Sequence, residues 1–405
     1  MSVGKSKEKQ NEIKREDHTP SKSAISWPLT IFASSFMGIF FGLAFYKSHV
    51  FEPQIIRGQF LFQRFIMLKV FFGAMGTGAL LLAFLSGRTK KFHNARELWR
   101  PTASTRGYWT GPALGGFGLG VGMAISGACP GMVLAAWGAD TPDCTYTIFG
   151  GLLGALVYGM NAELIQRKIL DRGPKGPCSK EYADEVVGIS YSKLATGLGI
   201  VCLLGCVVLE QLVPWKEEVP SRLSEAMNRP SCKLGLSFDP WECPAWPPSL
   251  AGCLVGSLQF IAVLAMETLL GSATAFQVCS SCLLLPTKLI EGNAYLKAFA
   301  TPNPQAWWQL FYVGLAVVAA QQSAKADGEV GASHGVGPLA AFLGGFVLIF
   351  ASRLGGGCTS GHGLSGCAIL LVQSWVAVPA MFAGGIAVAV AWQMGVGGFF
   401  QPEVV

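Results

Sequence analysis

Residues 344–363 read GGFVLIFASRLGGGCTSGHG, and residues 115–131 read GGFGLGVGMAISGACPG. They are two versions of one segment. Each opens on a Gly-Gly-Phe triplet in an apolar run and closes on a Gly-x-Cys step, with residues that break or cap a helix directly after it. Phe117 to Cys129 and Phe346 to Cys358 are both twelve residues, and Leu119 matches Leu348 and Gly127 matches Gly356 at the same offset of 229. A duplicated segment that sets one thiol at the end of each apolar run predicts a two-fold site inside a membrane.

Composition supplies the membrane. Hydrophobic residues make up 51% of the chain and charged residues only 13%, about half the roughly 25% of a soluble domain. Mean hydropathy is +0.44. The 51 glycines suit membrane helices, where small residues let backbones approach closely. Apolar runs near the ~20 residues that cross a bilayer fall around 25–46, 60–86, 145–165, 190–213, 247–270, 306–321 and 377–396. The duplicated blocks, 110–140 and 337–372, add shorter pieces broken by glycine. The expectation is an all-α integral membrane protein of eight to ten membrane helices in two related halves, with short broken or re-entrant helices carrying the Cys motifs. Its divisions are a tail over 1–24, a membrane half over 25–213, a polar loop over 214–246 and a second membrane half over 247–405. The pairs Gly38/Gly42, Gly116/Gly120 and Gly150/Gly154 have the spacing of helix-packing motifs.

Charge placement orients the chain. Tail 1–24 carries six basic residues against four acids, and loop 87–107 carries six against Glu97 alone. Basic loops stay cytoplasmic, and two spans between them return the chain to the same side. Loop 166–185 leans basic, five against four, whereas loop 214–246 has four basic residues against five acids and fits the opposite face. The tail has no apolar core, so it is read as a disordered cytoplasmic segment rather than a signal peptide. The net charge of +6 is spread through these tails and loops and reflects topology; no nucleic-acid motif accompanies it.

The twelve cysteines divide by setting. Cys202, Cys206 and Cys253 lie within apolar runs, where a free thiol packs as a small hydrophobe. Cys232 and Cys243 share the non-cytoplasmic loop and are the candidate pair for a disulfide in an oxidising compartment; spacing alone leaves open whether their Cα atoms come within reach. Cys279-Ser-Ser-Cys282 has a spacing shared by redox and metal sites, but no second pair and no neighbouring His completes a metal site. Cys129 and Cys358 differ because their surroundings interrupt helices. Pro130 cannot continue a helix begun upstream, yet it suits the first turn of a new one. Gly355, Gly356 and Gly357 unwind the chain, and Thr359 or Ser360 can cap a new helix beyond them. Unwound backbone at membrane depth is tolerated only where protein buries it or it lines a cavity. Helix N-termini aimed into such a cavity favour an anion, and broken helices paired across two halves point to a transporter site near the midplane. Gly127 and Gly131 in the first copy, and Gly356 and Gly357 in the second, belong to that candidate pathway.

The stretch GGGCTSGHG at 355–363 and its earlier partner resemble the signature of the YeeE/YedE sulphur-transport family. The resemblance extends over roughly 30–396. It implies an importer of thiosulfate or a related sulfur anion, built from two related halves, with Cys129 and Cys358 as pathway thiols. The family's bacterial thiosulfate importers have a further pathway cysteine nearer the N-terminus; here the matching segment, Gln59 to Arg64, holds none. Cys279 or Cys282, in the second half's counterpart of that segment, is a weaker candidate for its place.

Ionisable residues inside membrane segments are functional candidates by default. Arg353 lies five residues before Cys358 and His362 four after it, and Arg64 and Lys69 sit in an apolar run, as does Glu267. Snorkelling to the interface or a structural pair with Glu267 is the alternative for each. No G-x-x-x-x-G-K-[ST] loop is present, the glycines at 116–122 lack a βαβ setting, and no Ser/His/Asp set can be assembled. No catalytic residue, metal or cofactor is therefore assigned. Two functions compete: a transporter for a small sulfur-containing anion in the lipid bilayer, with a cytosolic sulfurtransferase as a further partner, and a membrane thiol enzyme that relays sulfur or electrons through cysteines.

Overall fold

The computed structural model describes residues 26–104, 109–170, 181–232, 239–287 and 290–395. The tail at 1–24 lies outside them. The chain folds into helices α1 (Trp27–Lys47), α2 (Pro53–Phe60), α3 (Ile66–Ser86), α4 (Lys90–Ser104), α5 (Thr110–Ser126), α6 (Met132–Gly138) and α7 (Cys144–Ile165). Beyond these come α8 (Tyr191–Leu212), α9 (Pro248–Met266), α10 (Ala273–Leu283), α11 (Ala294–Ala300), α12 (Pro304–Asp327), α13 (Pro338–Gly355) and α14 (Val372–Gln393). Shorter helical turns lie in the links. Among the described residues, extended pairing is confined to one bridge, Tyr182 with Leu371.

Seven of these helices are long and apolar enough to cross a membrane: α1, α3, α7 with its continuation to Leu170, α8, α9, α13 and α14. The 17-residue α5 and the 24-residue α12 pack among them. The chain is an all-α, multi-pass integral membrane protein. Its outer surface has the composition lipid requires: Ile200, Val201, Leu204, Val207 and Val208 of α8 all face outward, and each helix satisfies its own backbone. Prolines in the first turn start α1, α2, α9, α12 and α13, where the missing N–H costs nothing.

Two apolar runs differ from the helices they contain. The run at 60–86 starts as helix only at Ile66, because Gln63 and Arg64 occupy a turn after α2 in which Phe62 takes φ +57°. The run at 247–270 stops at Met266; Glu267 turns into the left-handed region at φ 49°, and the chain stays unwound until α10.

Glycine contacts give the helix directions. A Cβ on Gly38 would strike the Tyr312 carbonyl and one on Gly42 the Ala316 carbonyl, so α1 and α12 run parallel. Gly252 meets Val70 and Gly256 meets Ala74, so α9 and α3 do the same. Gly116 and Gly120 close on Ala377 and Met381 of α14, while Gly150 and Gly154 of α7 close on Phe342 and Phe346 of α13. Exchanging the two copies converts each of these pairings into another. The helices that carry the copies, α5 and α13, pack on each other in opposite directions: Gly115 lies against Gly355, and Gly122 against Gly344 and Leu348. A two-fold that makes equivalent helices antiparallel must lie across their axes. The repeat is therefore inverted, with its axis in the membrane plane.

The links lie on two faces. Residues 181–187 join α4 and the segment before α14 through Ala183 N–H to Leu370 O, 2.8 Å, Val372 N–H to Glu181 O, 3.0 Å, and Arg100 to Glu185, 2.6 Å. On the other face, the described residues of the loop, 214–232 and 239–246, cover the end of α1 and the start of α3. Lys47 Nζ donates to Cys243 O at 3.0 Å and pairs with Asp327 at 2.8 Å. Cys232 and Cys243 are joined by a disulfide, Cα to Cα 5.2 Å, within a small core that includes Trp215, Leu223 and Met227.

Candidate functional site

Both copies of the duplicated segment end their helix in the same way. Gly127 closes α5 at φ +60° and Gly356 closes α13 at φ +90°, the left-handed turn that glycine adopts without steric cost. After each turn the chain presents its cysteine. Cys129 is buried, and its Sγ accepts from Met132 N–H at the start of α6, 3.4 Å. Cys358 is buried and leads into a wide helical turn over Thr359–Gly366 in which every residue is buried. Such wide turns cost regular hydrogen-bond geometry and concentrate at functional sites.

The two motifs share one cavity. Its floor holds Cys129, Gly131, Met132, Thr359 and Ser360, and its walls are the apolar side chains of Phe45, Val50, Met67, Val70, Phe71 and Leu364. Phe45 lies in the last turn of α1 and Val50 in the turn after it, which places the cavity toward the face covered by the described residues of loop 214–246. Behind the floor, Cys358 Sγ lies 3.1 Å from Ser360 Oγ and 3.7 Å from Ser272 Oγ. The Thr359 hydroxyl faces the Cys129 thiol but makes no hydrogen bond of good geometry. Tyr312, fully buried in α12 and packed on Phe41 at 4.9 Å between ring centres, stands within electrostatic range of both thiols. The cavity thus offers the Cys129 thiol, the Thr359 and Ser360 hydroxyls and a helix-start N–H among apolar walls, with the Cys358 thiol behind Ser360. Among the described residues, no charged side chain lines it.

The charged candidates occupy other positions. Arg353 is buried, but its guanidinium donates to Tyr295 Oη at 2.8 and 3.1 Å and to Thr274 Oγ1 at 3.4 Å, and lies 5.0 Å from the Phe299 ring centre. His362 braces the wide turn: Nδ1 lies 3.0 Å from Ser374 Oγ and Nε2 3.2 Å from Gly355 O. Gly357 leaves room for that ring, since a Cβ there would come within 3.0 Å of it. Arg64 donates to Glu218 O at 2.8 Å, and the fully buried Lys69 pairs with Glu218 at 2.9 Å and Glu210 at 3.1 Å. Both therefore hold loop 214–246 to the membrane domain. Glu267 accepts from Asn94 at 2.8 Å. Cys279 is exposed and Cys282 half-buried, at the end of α10 opposite Ser272.

Three residues of this region carry no signal in the sequence. Ser272 stands outside any recognisable motif. Arg57 is buried in α2, where its guanidinium donates to the carbonyls of Ala124 and Ile125, the last turn of α5 before Cys129, and lies 5.1 Å from the Trp392 ring centre. Gln59 of the same helix is buried with neither amide atom hydrogen-bonded. The eight residues of α2 mix polar and apolar side chains, so no hydropathy pattern marks them as buried. A nearby ion-pair network ties the loop 214–246 face together: His49 Nδ1 lies 2.9 Å from Glu52 Oε1, and Arg222 joins Glu52 to Glu329. Burial pushes the Glu52 carboxyl up, but His49 and Arg222 outweigh it and hold Glu52 below the ordinary glutamate range.

A family model described as sulphur transport matches residues 47–387, a span that contains both Cys motifs and every residue lining the cavity except Phe45. No curated protein matches the chain.

Proposed function

Because the chain belongs to the sulphur-transport family, we propose that it moves thiosulfate or a similar small sulfur-containing anion across the membrane, along a path lined by Cys129 and Cys358. The observation that carries this reading is the shared cavity, which is lined by Cys129 of the first copy and by Thr359 and Ser360, the residues directly after Cys358, of the second. Thiosulfate is a soft dianion that must leave its hydration shell to cross hydrocarbon. A thiol is a weak S–H donor, so it binds such an anion without holding it. Passage needs sites of that kind, favourable enough to enter and weak enough to leave. A thiol in its uncharged form also avoids repelling the dianion. The N-terminus lies on the cytoplasmic side in this reading, and a cytosolic sulfurtransferase is the partner that would receive the imported sulfur.

The test is uptake. Labelled thiosulfate accumulates in proteoliposomes that hold the parent protein, and Cys129→Ala or Cys358→Ala lowers the rate about ten-fold, the loss of one hydrogen bond to a charged group. Unchanged rates in both variants would reduce the thiols to packing residues. A membrane thiol enzyme would instead leave a persulfide or disulfide trapped by alkylation during turnover. That relay would need Cys279 and Cys282 near the cavity, and their place at the far end of α10 counts against it.

A further inference from the structure

Ser272 begins α10, where a serine ordinarily turns its hydroxyl back to accept from the second or third N–H of its own helix. It does not do so here: the side chain makes no capping bond, and Oγ is directed to Cys358 Sγ at 3.7 Å. The residue is fully buried. On its other side it reaches the first motif, because a Cβ on Gly131 would stand only 3.3 Å from the same Oγ. Gly131 is thus open enough for the Ser272 hydroxyl to approach both copies of the duplicated segment. Thr359 supplies a second buried hydroxyl without a satisfactory partner, in the floor of the cavity beside Cys129. A buried hydroxyl left unbonded costs about 1–3 kcal/mol. Thr359 Oγ1 makes no hydrogen bond of good geometry and Ser272 Oγ is engaged only by the long contact to the Cys358 thiol, so both hydroxyls are placed to serve a ligand that accepts hydrogen bonds.

We propose that Ser272 and Thr359 are the residues that recognise the oxygens of the transported anion, while Cys129 and Cys358 take its terminal sulfur. The inference rests on the transport reading above and sharpens it to a substrate class. The site selects anions that carry both a soft terminal sulfur and hard sulfonate-type oxygens. Thiosulfate has both; hydrosulfide lacks the oxygens and sulfate lacks the soft end. Discrimination arises because a site with buried hydroxyls rejects a ligand that leaves them unpaired, more strongly than an apolar pocket rejects a missing methylene.

The experiment uses the full-length protein in proteoliposomes with labelled thiosulfate, and hydrosulfide and sulfate as competitors. Ser272→Ala and Thr359→Val each raise the thiosulfate concentration for half-maximal uptake about ten-fold, the loss of one hydrogen bond to a charged group. Inhibition by hydrosulfide stays unchanged, and sulfate competes poorly throughout. Thr359→Ser restores the parent value. Because the Thr359 hydroxyl makes no hydrogen bond of good geometry, Thr359→Val leaves the melting temperature level or raises it, which a residue serving only the fold would not do. If thiosulfate half-saturation is unchanged in both variants while Cys358→Ala still lowers the uptake rate about ten-fold, the inference is overturned and the transport reading stands. Equal weakening of thiosulfate and hydrosulfide would also overturn it, as a general distortion. A parent protein that takes up no thiosulfate would remove the transport reading, and this inference with it.

Discussion

Arg57 shows how one side chain can set the geometry of a thiol it never touches. Its two bonds to Ala124 and Ile125 satisfy carbonyls that the last turn of any helix leaves open, and its charge complements the negative end of α5. The next residues turn at Gly127 and deliver Cys129. Arg57→Leu strands both carbonyls at about 1–3 kcal/mol each. The expected outcome is a melting temperature lower by several degrees in detergent, with faster maleimide labelling of Cys129 as the end of α5 loosens. An unchanged melt would mean that solvent or lipid replaces the guanidinium there. Arg353 and His362 have comparable standing: each is buried beside a motif yet spends the hydrogen bonds described above on the surrounding helices. The thiols themselves were legible from their duplication. Ser272 was not, because an isolated serine becomes informative only when its hydroxyl is seen to leave its own helix.

Among elements, the glycine rows carry the architecture. Gly120 lies so close to Met381 that its helix could not carry even a methyl group there, whereas Gly197 on α8 has open space around it. Gly120→Leu therefore separates α5 from α14, at a cost of about 1–3 kcal/mol or more from overpacking. Gly197→Leu, on the outer surface, leaves the fold unchanged. Size-exclusion profiles and thermal unfolding of the two variants compare them directly; equal behaviour would remove the glycine row as the basis of that packing. These rows could be read from G-x-x-x-G spacing, and the long helices from hydropathy. The short helices α2 and α10 could not. Both are too short to span, α2 is also too polar to stand out, and they gain their stability from burial against α3, α5, α7 and α12 rather than from propensity. Yet they bring Arg57 and Ser272 to the two cysteine motifs.

At the level of the whole molecule, the inverted repeat places the two motifs back to back, while the unpaired additions give the two faces different covers. The described residues of loop 214–246 cover one face, held by the Cys232–Cys243 disulfide and by Glu52, Arg222, Lys47 and Asp327. Glu52 makes this cover sensitive to acid. Its carboxyl is held below its unfolded value, so the stability it contributes is present above that value and disappears as pH falls through the folded one. The melting temperature should stay level in this respect from pH 7 down to about 4.3 and decline below, and Glu52→Gln should remove part of the decline. An identical acid profile in Glu52→Gln would show that the network does not depend on this charge.

Composition and spacing were enough to establish that the chain is helical and membrane-embedded, that it holds a duplicated segment, and that its two chief thiols end broken helices. Those properties act along the chain, so a linear reading captures them. Three others emerged from the packed helices alone: the repeat is inverted, both motifs open on one cavity, and Arg64 and Lys69 serve the loop rather than the cavity. Helix direction and side-chain company are set by which backbones can approach closely, and that depends on partners more than a hundred residues away.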